Sequence, residues 1–219
     1  MFGRVLVLNL DRRPDRWDSF RRRLPDDWPL PEPERFSAVD GRTAPPPAWW
    51  TESPGAWGCF ESHRAMWREA GEDSVLILED DAFCVDRFAE RLAVCAEHLP
   101  DNWDQLYLGG QHLRTDRILP QPVNPWIVRC YYTGRTHAYA IRGRAAGVLL
   151  RWSETQHWNL HVDYVLARLQ QAGQLNHYAP REWLFGQVAG RSDVAIQGET
   201  GNGALMPTQL WQLPELTEV

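Results

Sequence analysis

The constraint that most limits the fold of this chain is a single junction: residues 74–78 (SVLIL) run straight into Glu79-Asp80-Asp81. Four consecutive apolar residues after Ser74, without polar alternation, predict a short strand buried on both faces, as in a parallel sheet. Three acids at its end are costly to place beside a core unless something positive meets them. A second run, residues 4–10 (RVLVLNL), has the same character and ends in the polar stretch Asn9-Leu10-Asp11-Arg12-Arg13. Pro14 follows, suited to the first position of a helix.

Between these runs the pattern alternates. Helices are expected over residues 14–24, 58–70, 85–99, 143–152 and 162–172, and further strands over 35–39, 104–108, 127–131 and 137–141. Residues 43–57 (TAPPPAWWTESPGAW) carry too many prolines for a long regular element and read as a functional loop. Residues 186–219 are turn-rich. Alternating strands and helices predict an α/β domain spanning 1–219 with a mainly parallel or mixed sheet. Ligands of such sheets bind at the carboxyl ends of strands. Asn9–Arg13, Glu79–Asp81 and Gly109-Gly110 are the three polar strand ends expected to converge.

Composition narrows the function. The net charge of −6 argues against nucleic-acid partners and allows at most transient membrane association. No apolar run approaches the ~20 residues that span a bilayer. The opening MFGRVLVLNLDRR reads as a strand and not as a secretory leader. All 23 basic residues are arginine. That excludes Schiff-base and P-loop lysine chemistry and leaves guanidinium forks, backbone amides or a metal to clamp anions. The four cysteines, Cys59, Cys84, Cys95 and Cys130, lack any C-x-x-C spacing and read as free thiols of a cytoplasmic protein.

Glu79 and Asp81, two apart on an extended chain, are expected to point the same way while Asp80 points elsewhere. Paired hard carboxylates suit Mg²⁺ or Mn²⁺ carrying a diphosphate; the alternative is a solvated strand end with one acid capping the next helix. Arg12, Arg13 and Arg16 around a helix start make an anion site, or a solvated charge run.

Residues 7–17 (VLNLDRRPDRW), Ala38-Val39-Asp40-Gly41, residues 58–63 (GCFESH), residues 76–82 (LILEDDA) and residues 136–141 (THAYAI) occur in this order. As a set they resemble glycosyltransferase family 25, which includes bacterial lipooligosaccharide galactosyltransferases and collagen galactosyltransferases. The resemblance implies a GT-A fold, a UDP-sugar donor, inversion at the anomeric carbon, and a divalent metal (Mn²⁺ or Mg²⁺) held by Glu79 and Asp81. It places Asn9, Asp11, Arg12, Arg16 and Asp40 at the nucleotide, with Ser62, His63 and Asp80 beside the donor. The acceptor would be a saccharide, on a glycolipid such as lipooligosaccharide or on a protein.

Inverting transfer needs a base for the acceptor hydroxyl. Asp163 is the first choice, with a helix N-terminal charge as its alternative; Glu61 is the second. Residues 186–193 are expected to fold over the donor with Gly186 and Gly190 as hinges, or to form an ordinary polar loop. His177 is a weaker candidate metal ligand, and Trp49, Trp50 and Trp57 form either an acceptor-stacking wall or core. Two other functions fit the same acids: a non-catalytic sugar- or nucleotide-binding relative, and a metal-dependent phosphoesterase.

Overall fold

A computed structural model describes residues 1–71, 73–113, 118–155 and 157–188. The chain runs β1 (Arg4–Asn9), α1 (Pro14–Arg22), β2 (Glu34–Ser37), α2 (Pro54–Glu69), β3 (Val75–Glu79), β4 (Ala82–Cys84), α3 (Phe88–His98), β5 (Gln105–His112), β6 (Gln121–Pro122), β7 (Ile127–Arg129), β8 (Thr133–Ile141), α4 (Gly143–Glu154), α5 (Val162–Ala172), β9 (His177–Pro180) and β10 (Phe185–Gln187). Eight strands form one mixed sheet in the order β2-β1-β3-β8-β5-β9-β7-β6, and β10 pairs with β4 in a separate ribbon. β1 is parallel to β2 and to β3, whereas β8 runs antiparallel between β3 and β5. β1, β3 and β5 therefore all end on the same edge of the sheet.

The central strands bury both faces, as their unbroken apolar sequences require. Leu6, Ile77, Tyr139 and Ile141 pack with residues of α2, α4 and α5 on one side; Val5, Val7, Leu76 and Leu78 pack with residues of α1 and α3 on the other. Pro14 stands at the start of α1, as expected. α2 begins at Pro54, inside the proline- and tryptophan-rich stretch: Ser53 caps it by accepting the Ala56 amide at 3.0 Å, and the proline takes the first turn. The expected loop is thus partly the first turn of a helix.

β5 does not stop at Gly109-Gly110 but continues to His112. These glycines admit neighbours: a Cβ at Gly109 would lie 2.4 Å from His137 Nε2, and one at Gly110 3.3 Å from the Trp183 ring. β4, β6, β9 and β10 were not foreseen, being too short or too polar to stand out from their surroundings.

Candidate active site

A cleft of about 610 Å³ opens where β1 and β3 end, between the β1–α1 loop, residues 38–42 and the start of α2. Arg12, Arg16, Asp40, Ser62, Glu79, Asp80 and Asp81 all line it. The convergence expected at the ends of β1 and β3 is present; Gly109 and Gly110 are not in its wall.

The acids do not follow the alternation expected of an extended chain. β3 ends at Glu79, and Asp80 and Asp81 form the turn into β4. Arg16 Nη2 consequently bridges the two aspartates, meeting Asp80 Oδ1 in a short ion pair and Asp81 Oδ2 at 2.9 Å. Asp80 Oδ2 also accepts from Asn9 Nδ2 at 2.6 Å, so both of its oxygens are engaged. Asp81 Oδ2 takes a long contact of 3.3 Å from Gln187, while its buried Oδ1 has no partner among the described residues. Burial, then the charges of Glu79 and Asp80, push the Asp81 carboxyl well above the usual range despite Arg16.

Glu79 behaves oppositely. Burial would raise its pKa, but His63 and the Thr136 hydroxyl, which donates to Oε1 at 2.6 Å, outweigh it and hold the carboxyl low. His63 is fully buried on α2 and is not part of the cleft wall, contrary to its expected place beside the donor. Its Nδ1 lies 2.9 Å from the Tyr139 hydroxyl, which accepts the Trp67 indole N–H at 2.8 Å. Indole only donates, so the free hydroxyl hydrogen goes to Nδ1. The imidazole proton is then on Nε2, which faces Glu79 Oε1 at 3.7 Å. Thr136, Tyr139 and Trp67 are supports that sequence reading missed. Thr136 and Tyr139 lie within the quoted 136–141 motif, but nothing in the sequence pairs them with Glu79 or His63.

Other residues expected at the donor also tie the surrounding loops together. Asn9 donates to the Arg13 carbonyl at 2.9 Å and accepts from Arg35 at 2.8 Å, fixing the β1–α1 loop. Asp11 is exposed and binds Ser37 and Arg35 outside the cleft. Ser62 donates to Gly58 O and accepts the Val39 amide at 2.9 Å, tying residues 38–41 to α2. Arg12 pairs with Asp40 at 2.6 Å across the cleft mouth. Burial pulls the Asp40 carboxyl up, but the Arg42 amide and Arg12 prevail and hold it below the ordinary range.

Neither expected base lines the cleft. Glu61 is held on α2 by Arg64 at 2.5 Å. Asp163 accepts the amides of Arg135 and Tyr164, the second within the first turn of α5. It lies close enough to Cys59, in the cleft wall, for its charge to help raise that thiol after burial and Glu79. His177 sits where β9 pairs with the start of β5, the opposite end of that strand from its carboxyl end, with Nδ1 2.9 Å from Gln105. Gly186 is not a hinge: it lies in β10 under the Phe83 ring, where a Cβ would come within 2.3 Å. Gly190 and the rest of the expected closing segment beyond residue 188 lie outside the described residues.

Residues 2–166 match the family model described as glycosyltransferase family 25 (LPS biosynthesis protein). The chain belongs to glycosyltransferase family 25. Relatives in that family include the human "Inactive glycosyltransferase 25 family member 3", 32% identical over 68% of this chain and 29% of its own length. "Procollagen galactosyltransferase 2" of Mus musculus is 28% identical over 64% of this chain and 26% of its own. The chain thus spans less than a third of these relatives. Among solved structures, apo UDP-glucose pyrophosphorylase aligns with a TM-score of 0.44 at 5% identity, over 81% of this chain and 72% of the other. Among the described residues, no helix is long and apolar enough to cross a membrane.

Proposed function

We propose that this family 25 chain is an inverting, metal-dependent glycosyltransferase of the GT-A type, moving a hexose (galactose) from a UDP-sugar to a saccharide acceptor. A cytoplasmic enzyme extending a lipooligosaccharide glycan is the form of this reading that the free cysteines and family description favour. One observation carries it: Asp81, in a cleft wall shared with Arg12 and Arg16, keeps a buried carboxylate oxygen that has no partner among the described residues.

That oxygen suits a hard divalent cation, and Glu79 in the same wall supplies a second hard donor; Mn²⁺ or Mg²⁺ fits this donor set. Such an ion stabilises the negative charge that develops on a departing diphosphate. The chain's own groups do the rest. Arg12 and Arg16 offer guanidinium forks to the phosphates. Thr136 and His63 hold Glu79 ionised and fixed in rotamer. Asp163 is the proposed base for the acceptor hydroxyl.

A second reading has its own support. Arg16 already bridges Asp80 and Asp81, and relatives at 31–32% identity are named inactive. In that reading the chain binds a nucleotide-sugar or glycan without turnover.

Thermal shift with UDP, GDP, ADP and CMP, each with Mn²⁺ and with EDTA, separates the readings together with UDP release from UDP-galactose. Stabilisation by UDP with Mn²⁺ and acceptor-dependent UDP release is the expected result. Binding without release indicates the non-catalytic protein, and acceptor-independent hydrolysis indicates a phosphoesterase.

A further inference from the structure

The tryptophans ahead of α2 are not one wall. Trp50 is core, its indole N–H bonded to Ser53 O at 3.2 Å. Trp49 is exposed at 36% and, with Trp57, Trp158, His157, Arg64 and Glu154, lines a separate pocket of about 190 Å³. This pocket lies on another face of α2: Cys59 and Ser62 look into the cleft, whereas Trp57 and Arg64 look into the pocket.

Its shape and its unspent polar groups select a ligand. Trp49 and Trp57 meet at 87° with centroids 5.9 Å apart, forming a corner of two indole walls. His157 stacks on Trp49 at 4.5 Å and closes one of its faces. Arg64 gives Nη1 to Glu61 and Nη2 to Glu154, and its buried Nε has no partner among the described residues. The indole N–H groups of Trp49 and Trp57 bond to none of the described residues. Glu154 spends Oε1 on Arg64 and Arg68 and keeps Oε2. An apolar ligand covering these indole N–H groups or the free Glu154 oxygen would strip them of water without replacing its hydrogen bonds, at a cost. The volume is below the ~300 Å³ at which drug-sized sites begin, which admits a single ring and excludes a nucleotide. A pyranose suits such a site: C–H faces for the indoles, and hydroxyls for the two indole N–H groups and the free Glu154 oxygen.

We propose that this pocket binds one pyranose of the acceptor glycan, remote from the sugar that reacts at the cleft. The proposal rests on the glycosyltransferase reading for the word acceptor, but not for the sugar itself. The link between the two sites is short in sequence: Thr51, Glu52 and Ser53, immediately after Trp49-Trp50, line the cleft. A glycan anchored at Trp49 passes over the start of α2 to reach the donor.

The test is saturation-transfer NMR with methyl β-galactoside, methyl β-glucoside and lactose at about 20 mM, above a millimolar Kd. Wild type, Trp49→Ala and Glu154→Gln are compared, with UDP/Mn²⁺ thermal shift run on each. Transfer to at least one glycoside in wild type, reduced at least about tenfold in Trp49→Ala and several-fold in Glu154→Gln with the nucleotide response unchanged, is expected. Glu154→Gln keeps the packing, so it decides alone if Trp49→Ala fails to fold. No transfer in wild type, or equal transfer in wild type and Glu154→Gln, overturns the pocket even where UDP still binds. Glycoside binding lost in the variants, with no nucleotide response in any protein, overturns the transferase reading and leaves the pocket standing.

Discussion

His63 stands behind Glu79 with Nε2 3.7 Å from Oε1, its other nitrogen held by a hydroxyl that is itself held by Trp67. His63 is not in the cleft wall and meets it through Glu79. Tyr139→Phe removes the link and leaves the Trp67 N–H and His63 Nδ1 buried without partners. A loss of about 1–3 kcal/mol is expected, or roughly 2–4 °C in Tm for each kcal/mol at this chain length. Urea midpoints check it; an unchanged midpoint means that the hydroxyl holds nothing together.

The raised carboxyl of Asp81 has a signed consequence. A folded pKa above the unfolded value means that the fold favours the protonated form, so stability present at low pH is lost as pH rises through the folded value. Asp81→Asn keeps the shape and escapes this loss. Its stability relative to wild type grows as pH rises from the ordinary carboxylate range of about 4 towards neutrality. Denaturation at pH 5 and pH 7.5 measures the difference, and an equal offset at both removes the argument. The same variant loses Mn²⁺-dependent UDP binding.

Buried histidines act in the other direction. Burial, with help from Arg129, drops His177 to about 3, and burial drops His137 to about 4. Both are neutral in the fold, so their contribution is complete above about pH 6.5 and lost as pH falls through the folded values. His177→Gln is expected to shallow the acid limb by up to ~1.4 kcal/mol per pH unit. The slope of stability between pH 6.5 and 4 reads this directly; an identical slope would show that His177 does not titrate there.

Gly58 sets propensity against packing. Alanine in a helix is worth up to about 1 kcal/mol over glycine. A Cβ at Gly58, however, would lie 2.4 Å from the Val39 carbonyl, a backbone atom in the cleft wall. Overpacking of this kind costs about 1–3 kcal/mol, so Gly58→Ala is expected to be destabilised overall and to weaken UDP binding by moving residues 38–41. A higher melting temperature would show that the wall yields.

Asp163→Asn tests the proposed base. Transfer is expected to vanish while UDP and Mn²⁺ still bind; near-normal turnover removes Asp163 from the mechanism.

The apolar runs of β1 and β3 were legible because a strand buried on both faces needs an unbroken apolar sequence, and few other sequences meet that demand. The helix starts at Pro14 and Val162 were legible for the same local reason, since proline geometry and periodicity act within a few residues. The order of motifs also sufficed to place the chain in its family. What each polar side chain touches was not local. The turn at Asp80-Asp81 let Arg16 from α1 bridge both acids, and Thr136 from β8 reached Glu79 across 57 residues of sequence. β9 and β10 are strands because partners were waiting for them. Sequence by itself determined the sheet's buried centre and the edge where chemistry gathers, because burial is a property of runs. Only the tertiary structure decided which acids are clamped, which keeps a buried oxygen without a partner among the described residues, and that His63 meets the cleft wall through Glu79, because hydrogen-bond partners are chosen by distance in space.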